Sequence, residues 1–361
     1  MRRITQTLLA LLFFALVIEV VLISPNEVPD QSKVGGATAG VEGEVKEKNA
    51  NSAISDDPSQ VQQQMEGVHV VETRNENKEW EMWANRAVGF KTQGDLSVNN
   101  VRASFFSDNG VSFLVTGNNG AVETATKNMI VNGDVVTTSS NGYVFRTETV
   151  EYNSQARFLR SKTPVTVKGP RDSLGGNLVI EGKNMEANLT KGEVTISNDV
   201  KAKKRVRPDE DMTVTSNQAE LYGHSREVKF TGNVVIDMHG VRISGPDAIF
   251  HYGQGSDLPE SVLLSGGVKV SDVNKWATSD RLNINLAKNQ FIFDGQPRVV
   301  QDNDELRGDR IVFLDGGKKV RVQNAKVKVS EQTLEEQHID GTALTKAPKI
   351  NIGQKKKQEP K

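Results

Sequence analysis

The sequence predicts an all-β protein behind one N-terminal membrane helix, and three observations predict it. Apolar and polar residues alternate with period two in segment after segment, Asn-Gly and Asp-Gly pairs punctuate the segments, and the pattern recurs about every 30 residues. The alternation is clearest in Val234-Val235-Ile236-Asp237-Met238, which leads through His239-Gly240 to Val241-Arg242-Ile243. It returns in Val268-Lys269-Val270, Leu282-Asn283-Ile284-Asn285-Leu286 and Val320-Arg321-Val322. Such a strand turns one apolar and one polar face outward. Beyond residue 70 no stretch sustains a helical 3.6-residue pattern.

The pairs Asn109-Gly110, Asn132-Gly133, Asn141-Gly142, Asp294-Gly295 and Asp315-Gly316 predict hairpin turns, because glycine accepts the positive φ that tight turns require. The repeat has two anchors. A small or turn residue before a valine-rich strand recurs at Ser197-Asn198-Asp199-Val200, Thr231-Gly232-Asn233-Val234, Ser265-Gly266-Gly267-Val268, Asp294-Gly295-Gln296-Pro297 and Gln323-Asn324-Ala325. Between these lie Asn217-Gln218-Ala219-Glu220-Leu221, Pro246-Asp247-Ala248-Ile249-Phe250, Ser279-Asp280-Arg281-Leu282 and Gly308-Asp309-Arg310-Ile311. A unit this short cannot bury its apolar face alone, so the units must stack.

The N-terminal segment determines the expected compartment. Arg2 and Arg3 precede an apolar run from Ile4 to Ile23, interrupted only by Glu19 among charged residues. About 20 residues give ~30 Å of helix, the hydrocarbon thickness of a bilayer. Positive charge at the start keeps that end in the cytoplasm and exports the remainder. A cleaved signal peptide is the competing reading, but Leu22-Ile23-Ser24-Pro25 lacks the small residues that cleavage requires. Glu19 lies towards the periplasmic end of the run. It either snorkels to the interface or meets a polar group on a partner helix.

These signals divide the chain into an anchor over 1–24, a polar flexible linker over 25–66, β domains over 67–169 and 170–330, and a polar, basic tail over 331–361. A net charge of −1 gives no electrostatic case for nucleic acid. The absence of cysteine excludes disulfides and thiolate chemistry.

The search for catalytic or metal-binding constellations finds none. No G-x-S-x-G elbow, Walker A loop or H-E-x-x-H helix occurs. The five histidines (His69, His224, His239, His251 and His338) are scattered, although His239 and His251 lie on or beside adjacent predicted strands. The run Asp302-Asn303-Asp304-Glu305-Leu306-Arg307 is similar to a calcium loop but lacks its ligand at Leu306 and its glycine at Arg307. It is read as a polar hairpin tip. The basic cluster Lys201, Lys203, Lys204, Arg205 and Arg207, followed by Pro208-Asp209-Glu210-Asp211, is read as a solvated connection between strands, with a rim for lipid phosphates as the alternative. No cofactor and no metal site is expected.

The repeated core Gly232-Asn233-Val234-Val235-Ile236, Gly240-Val241-Arg242-Ile243 and Asp247-Ala248-Ile249-Phe250 resembles the OstA-type β-jellyroll family of lipopolysaccharide transport. The resemblance to its soluble, LptA-like branch covers roughly Lys168 to Val329. A second, to the membrane-anchored LptC-like branch, rests on the anchor, on Trp80-Glu81-Met82-Trp83-Ala84-Asn85-Arg86-Ala87 and on the Phe105-to-Val115 hairpin. The family usually divides these modules between two proteins. The resemblance implies two facing antiparallel sheets like a bent taco, open along one side, with lipid acyl chains in the apolar groove. It also implies partners: lipopolysaccharide, an inner-membrane ABC transporter of the LptB/LptF/LptG type, and an outer-membrane translocon or further bridge units.

The apolar face is the candidate functional surface: Phe105, Phe113, Phe145, Phe230, Val234, Ile236, Val241, Ile243, Phe250, Leu282, Ile284, Phe291, Phe293 and Phe313. Read from the residues alone, an ordinary sandwich core and an open groove use the same side chains; the resemblance implies the groove. Two edges are singled out as junctions, Val68 and Val70 on the first strand and Val327 and Val329 on a long final strand from Val320 to Val329. The family reading makes both edges pair with neighbouring proteins. A structural β-solenoid or adhesin is the alternative, and a polysaccharide-active β-helix enzyme, which needs a carboxylate cluster not found here, is a further one.

Overall fold

The computed structural model describes residues 61–90, 95–222, 225–254, 256, 258–315 and 317–328. Every regular element among them is a β-strand, as the period-two pattern requires. In chain order these are β1 (Val61–Arg74), β2 (Asn77–Phe90), β3 (Asp95–Phe106), β4 (Ser112–Glu123), β5 (Met129–Ser139), β6 (Val144–Asn153), β7 (Phe158–Ser161) and β8 (Val165–Arg171). There follow β9 (Asn177–Gly182), β10 (Asn184–Asn188), β11 (Glu193–Arg207), β12 (Glu210–Tyr222), β13 (Glu227–Met238), β14 (Val241–Tyr252), β15 (Pro259–Asp272) and β16 (Lys275–Asn285). The last six are β17 (Gln290–Asp294), β18 (Arg298–Gln301), β19 (Asp304–Arg307), β20 (Arg310–Leu314), β21 (Lys319–Gln323) and β22 (Lys326–Lys328).

All pairings are antiparallel. β1 to β6 form a meander. β6 then pairs through one half with β8 and through the other with β7. The β8–β9 and β7–β10 pairs rejoin on the single long strand β11. A second meander runs to β16, which splits onto β18 and β17. Beyond it β18, β19 and β22 continue one side, and β17, β20 and β21 the other. Each long strand therefore gives one half to each of two sheets. We call the side of β8 and β18 the first sheet and the side of β7 and β17 the second.

The bend between the halves is written into the repeat. Two successive residues with positive φ interrupt the chain at Gly133-Asp134, Asn198-Asp199, Gly232-Asn233, Gly266-Gly267 and Gly295-Gln296. Within strands each is a β-bulge, as the pairing register shifts by one residue there. The first anchor of the repeat is this bulge. On the opposing strands Ser216 and Ser279 donate to the carbonyls of Gln218 and Arg281, at 2.9 and 2.8 Å, and cover backbone groups that the bend leaves unpaired.

Three expectations are corrected. Asn132-Gly133 and Asp294-Gly295 are not hairpin turns: the first is a bulge inside β5 and the second the bend between β17 and β18. Positive φ at a glycine serves either purpose, and the pairing partner decides which. β1 starts at Val61, inside the stretch read as linker, because Gln63 to Glu66 pair with Arg86 to Gly89 of β2 although they carry little apolar signal. The expected single strand from Val320 to Val329 is two, since Asn324, at φ 52°, separates β21 from β22. Val329, Glu19 and the expected anchor and tail lie outside the described residues. The division expected between 169 and 170 falls within β8.

Gly232, at φ 79°, has no room for a side chain, because a Cβ there would lie 2.7 Å from Nδ2 of Asn217. Gly232→Val is expected to lower stability by at least ~1–2 kcal/mol, from the left-handed backbone alone, as read by the urea midpoint.

Candidate functional site

The side chains between the two sheets form one continuous apolar interior. All fourteen residues predicted for the apolar face lie in it, none more than 4% exposed. Phe105, Phe113, Phe145, Val234, Ile236, Val241 and Ile243 come from the first sheet, and Phe230, Phe250, Leu282, Ile284, Phe291, Phe293 and Phe313 from the second. Phe230 meets Phe250 edge-on at 5.4 Å between ring centroids, and Phe293 meets Phe313 at 5.6 Å. Phe105 and Tyr152, at 4.5 Å, join the two sheets. Val241, Ile243 and Phe250 share one interior although their numbers differ in parity, because the bulge opposite β14 shifts which residues point inward.

Pairing registers show how continuous this interior is. In the first sheet one row runs Val70, Met82, Ala103, Val115, Thr137, Phe145, Val167, Ile180 and Ala202, each the direct partner of the next. It continues through Val214, Ile236, Ile243, Val270, Ala277, Val299 and Leu306 to Val327. Thr137 is the row's single polar member. The row begins at one predicted junction residue, Val70, and ends at another, Val327, which is 60% exposed on the last strand. Val68 lies on β1 half-buried beside the same core.

The edge of the sandwich opposite the bends is closed in one place and open in another. Near β1 to β4, Glu79 is 4% exposed and accepts hydrogen bonds from Tyr152 Oη (2.9 Å) and Arg74 Nε (3.1 Å). Arg74 also donates to the Ser154 carbonyl across the edge. Arg157 reaches back to Asp108 (2.6 Å) and to the Phe106 carbonyl (3.1 Å), and the Asp108 amide donates to the Leu189 carbonyl. Burial, and next the Glu79 carboxylate, raise the Tyr152 phenol, which stays a neutral donor. Further along, the edge opens into a cavity of about 420 Å³ whose walls include Phe113, Phe145, Leu178, Val194, Leu221 and Val228.

The basic cluster is not a connection. Lys201 to Arg207 form the end of β11, where Lys201, Lys203 and Arg207 are exposed while Lys204 points inward. Lys204 Nζ is 2.7 Å from Asp172 Oδ2, and both side chains are almost fully enclosed. Burial pushes the Asp172 carboxyl up. The hydrogen bonds from Lys204 and from the Gly176 and Leu174 amides outweigh it and leave the group below its ordinary value. A depressed carboxyl contributes stability above its unfolded pKa and loses it as pH falls through the folded one. Asp172→Asn is therefore expected to flatten the acid limb of the stability profile below about pH 4, as followed by urea melts at stepped pH.

Alternation alone could not find this pair, since a lysine among four other basic residues reads as solvated. His239 and His251 stand apart, beside Glu210 at 3.6 Å and Glu227 at 2.9 Å respectively. Asp302 and Asn303 form the turn between β18 and β19, the polar hairpin tip expected there.

Two family profiles match the chain. One, described as lipopolysaccharide-assembly, LptC-related, covers residues 38–205, and the other, described as LptA/(LptD N-terminal domain) LPS transport protein, covers residues 213–313. The chain belongs to the lipopolysaccharide-transport bridge family. Its LptC-like and LptA-like parts follow one another in a single polypeptide, as the resemblance implied. The chain is also similar to the crystal structure of LptH, the LptA homologous periplasmic component of the lipopolysaccharide transport device from Pseudomonas aeruginosa. That match has 14% identity and a TM-score of 0.31, and spans 33% of this chain and 94% of LptH. No curated protein matches the chain.

Proposed function

We propose that this chain is an inner-membrane-anchored periplasmic bridge component. It receives lipopolysaccharide from an ABC transporter of the LptB/LptF/LptG type and passes it between its two sheets towards the outer membrane. The observation that carries this reading is the unbroken inward row from Val70 on the first strand to Val327 on the last. A path for acyl chains needs such a row along the whole of a sheet, including the strands that join the two modules, here assigned to 67–169 and 170–330. Burying a methylene contributes ~0.8 kcal/mol, so a dozen would hold a lipid by roughly 10 kcal/mol. Similar repeats offer wells of similar depth, so passage becomes a series of small steps. Direction is then supplied by ATP hydrolysis at the transporter, with Glu19 as the polar contact of the anchor helix. The edges expected at Val68 and Val70, and at Val327 and Val329, pair with the transporter's periplasmic domain and with the translocon or a further bridge unit.

Photo-crosslinking tests the path. A photoreactive residue at Phe230, Val234, Ile236, Phe250, Leu282 or Phe293 is expected to trap lipopolysaccharide in cells. One at Asp237 or Arg242, which form an ion pair at 2.8 Å on the outer face, is expected to trap none. Equal labelling of both sets would remove the interior as the route. Bound lipid missing from every inward position would favour a structural β-solenoid.

A further inference from the structure

Lys204 is the one member of its basic cluster turned into the interior, and it lines the cavity at the open edge. An ammonium carries three donors. Among the described residues, Lys204 has one hydrogen-bond acceptor, Asp172. Asp172 does not line the cavity; its second oxygen, Oδ1, accepts the Leu174 and Gly176 amides at 2.9 and 2.8 Å. The carboxylate thus holds the ammonium from behind and leaves its other donors facing the empty space.

The second sheet supplies Arg226, which donates to the Ser256 carbonyl at 2.7 Å and keeps further guanidinium donors. Tyr143 and Tyr252 also line the wall, and burial holds both phenols neutral. Glu227, the carboxylate on this wall, is engaged by His251. Ser139, Asn141, Tyr222 and Ser256 add further polar groups, and the remaining wall is apolar. A volume of about 420 Å³ lies within the range of about 300–1,000 Å³ typical of small-molecule sites.

We propose that this cavity binds the anionic end of a lipid. A phosphate ester would lie between Lys204 and Arg226, with the adjoining acyl chain along Phe113, Phe145, Leu221 and Val228. This rests on the reading of the interior as a lipid path, and adds to it a docking point where the headgroup, and not only the tails, is recognised. Charge-assisted hydrogen bonds in a partly dry site are short and strong, and Lys204 is already fixed in place by Asp172.

The full chain in nonionic detergent would be titrated with phosphorylated lipid A, with the same lipid lacking its phosphates, and with inorganic phosphate. Charge-assisted bonds contribute enough that the phosphorylated lipid is expected to bind about tenfold tighter than the dephosphorylated one. The pair Lys204→Gln with Asp172→Asn replaces the ion pair by a neutral hydrogen-bonded one, and Arg226→Gln changes an exposed residue. Both variants are expected to lose most of the preference while binding the dephosphorylated lipid as before. Displacement of the phosphorylated lipid by inorganic phosphate would support the site and show that free phosphate also occupies it. Equal affinity for the two lipids, or a preference unchanged in the variants, would overturn the anion site and leave the lipid path standing. Failure to bind either lipid would overturn both.

Discussion

Replacing Glu79 by leucine is expected to lower stability by about 3 kcal/mol, the low end for a broken buried ion pair because Arg74 still reaches water. Glu79 is a shared acceptor: Tyr152 and Arg74 both donate to it, and Arg157 Nε lies at 3.5 Å. Leucine would leave the Tyr152 hydroxyl, on a residue 2% exposed, without its acceptor. It would also free the Arg157 guanidinium from one of its two carboxylates. The network joins the β1–β2 and β3–β4 hairpins of the first sheet to the β6–β7 and β10–β11 turns of the second, so the loss should be local as well as global. Hydrogen exchange is expected to quicken at the amides of Asp108 and Leu189, which bond to the Leu189 and Arg157 carbonyls. Amides of β13 and β14, far along the stack, should keep their rates relative to global unfolding. Arg74→Ala, at a side chain 44% exposed, should change stability by no more than ~1 kcal/mol. A Glu79→Leu protein as stable as the wild type would show that the edge is closed by packing and not by this network.

Replacing Val327 by proline is expected to abolish lipopolysaccharide export while leaving the body of the protein folded. β22 is three residues long, all three of its residues are exposed, and among the described residues it pairs with β19 alone. Its disruption removes little buried area, so the urea midpoint should barely move. Under the proposed edge-to-edge pairing, however, β22 is the strand to which the next protein adds in the first sheet. Proline lacks the amide that a ladder requires and clashes where another strand must approach. The break at Asn324 makes this test sharper, because the two sheets end on different strands. Proline at Val327 affects the first sheet alone, and proline at Arg321 in β21 affects the second. If both edges continue into the neighbour, each substitution alone should block export. Export that survives a folded Val327→Pro protein would falsify the C-terminal junction, while the contact at the β1 edge would remain open to the same test at Val70.

The fold class and the membership of the interior were legible in the sequence for a local reason. Alternation records which face of a strand meets water, and this needs no knowledge of the partner strand. Phe230, Phe250, Leu282 and Phe293 therefore took their places as expected. The repeat anchors at Asn198, Gly232, Gly266 and Gly295 were visible too, because positive φ favours glycine and asparagine.

What those anchors do was decided only in three dimensions. Asn141-Gly142 closes a hairpin, whereas Asn132-Gly133, the same dipeptide, bends a strand from one sheet into the other. The difference lies in which strand each half pairs with, and such partners lie up to 30 residues apart, as Phe158 and Asn188 do. The start of β1 at Val61, the break at Asn324 and the inward turn of Lys204 have the same origin. Each depends on a register set between strands, and a one-residue bulge is enough to reverse which side chains face in. Composition and periodicity determined that this chain would be a stack of strands with an apolar interior. Pairing across the bends determined where that interior is stitched shut, where it opens, and which charge it holds at the opening.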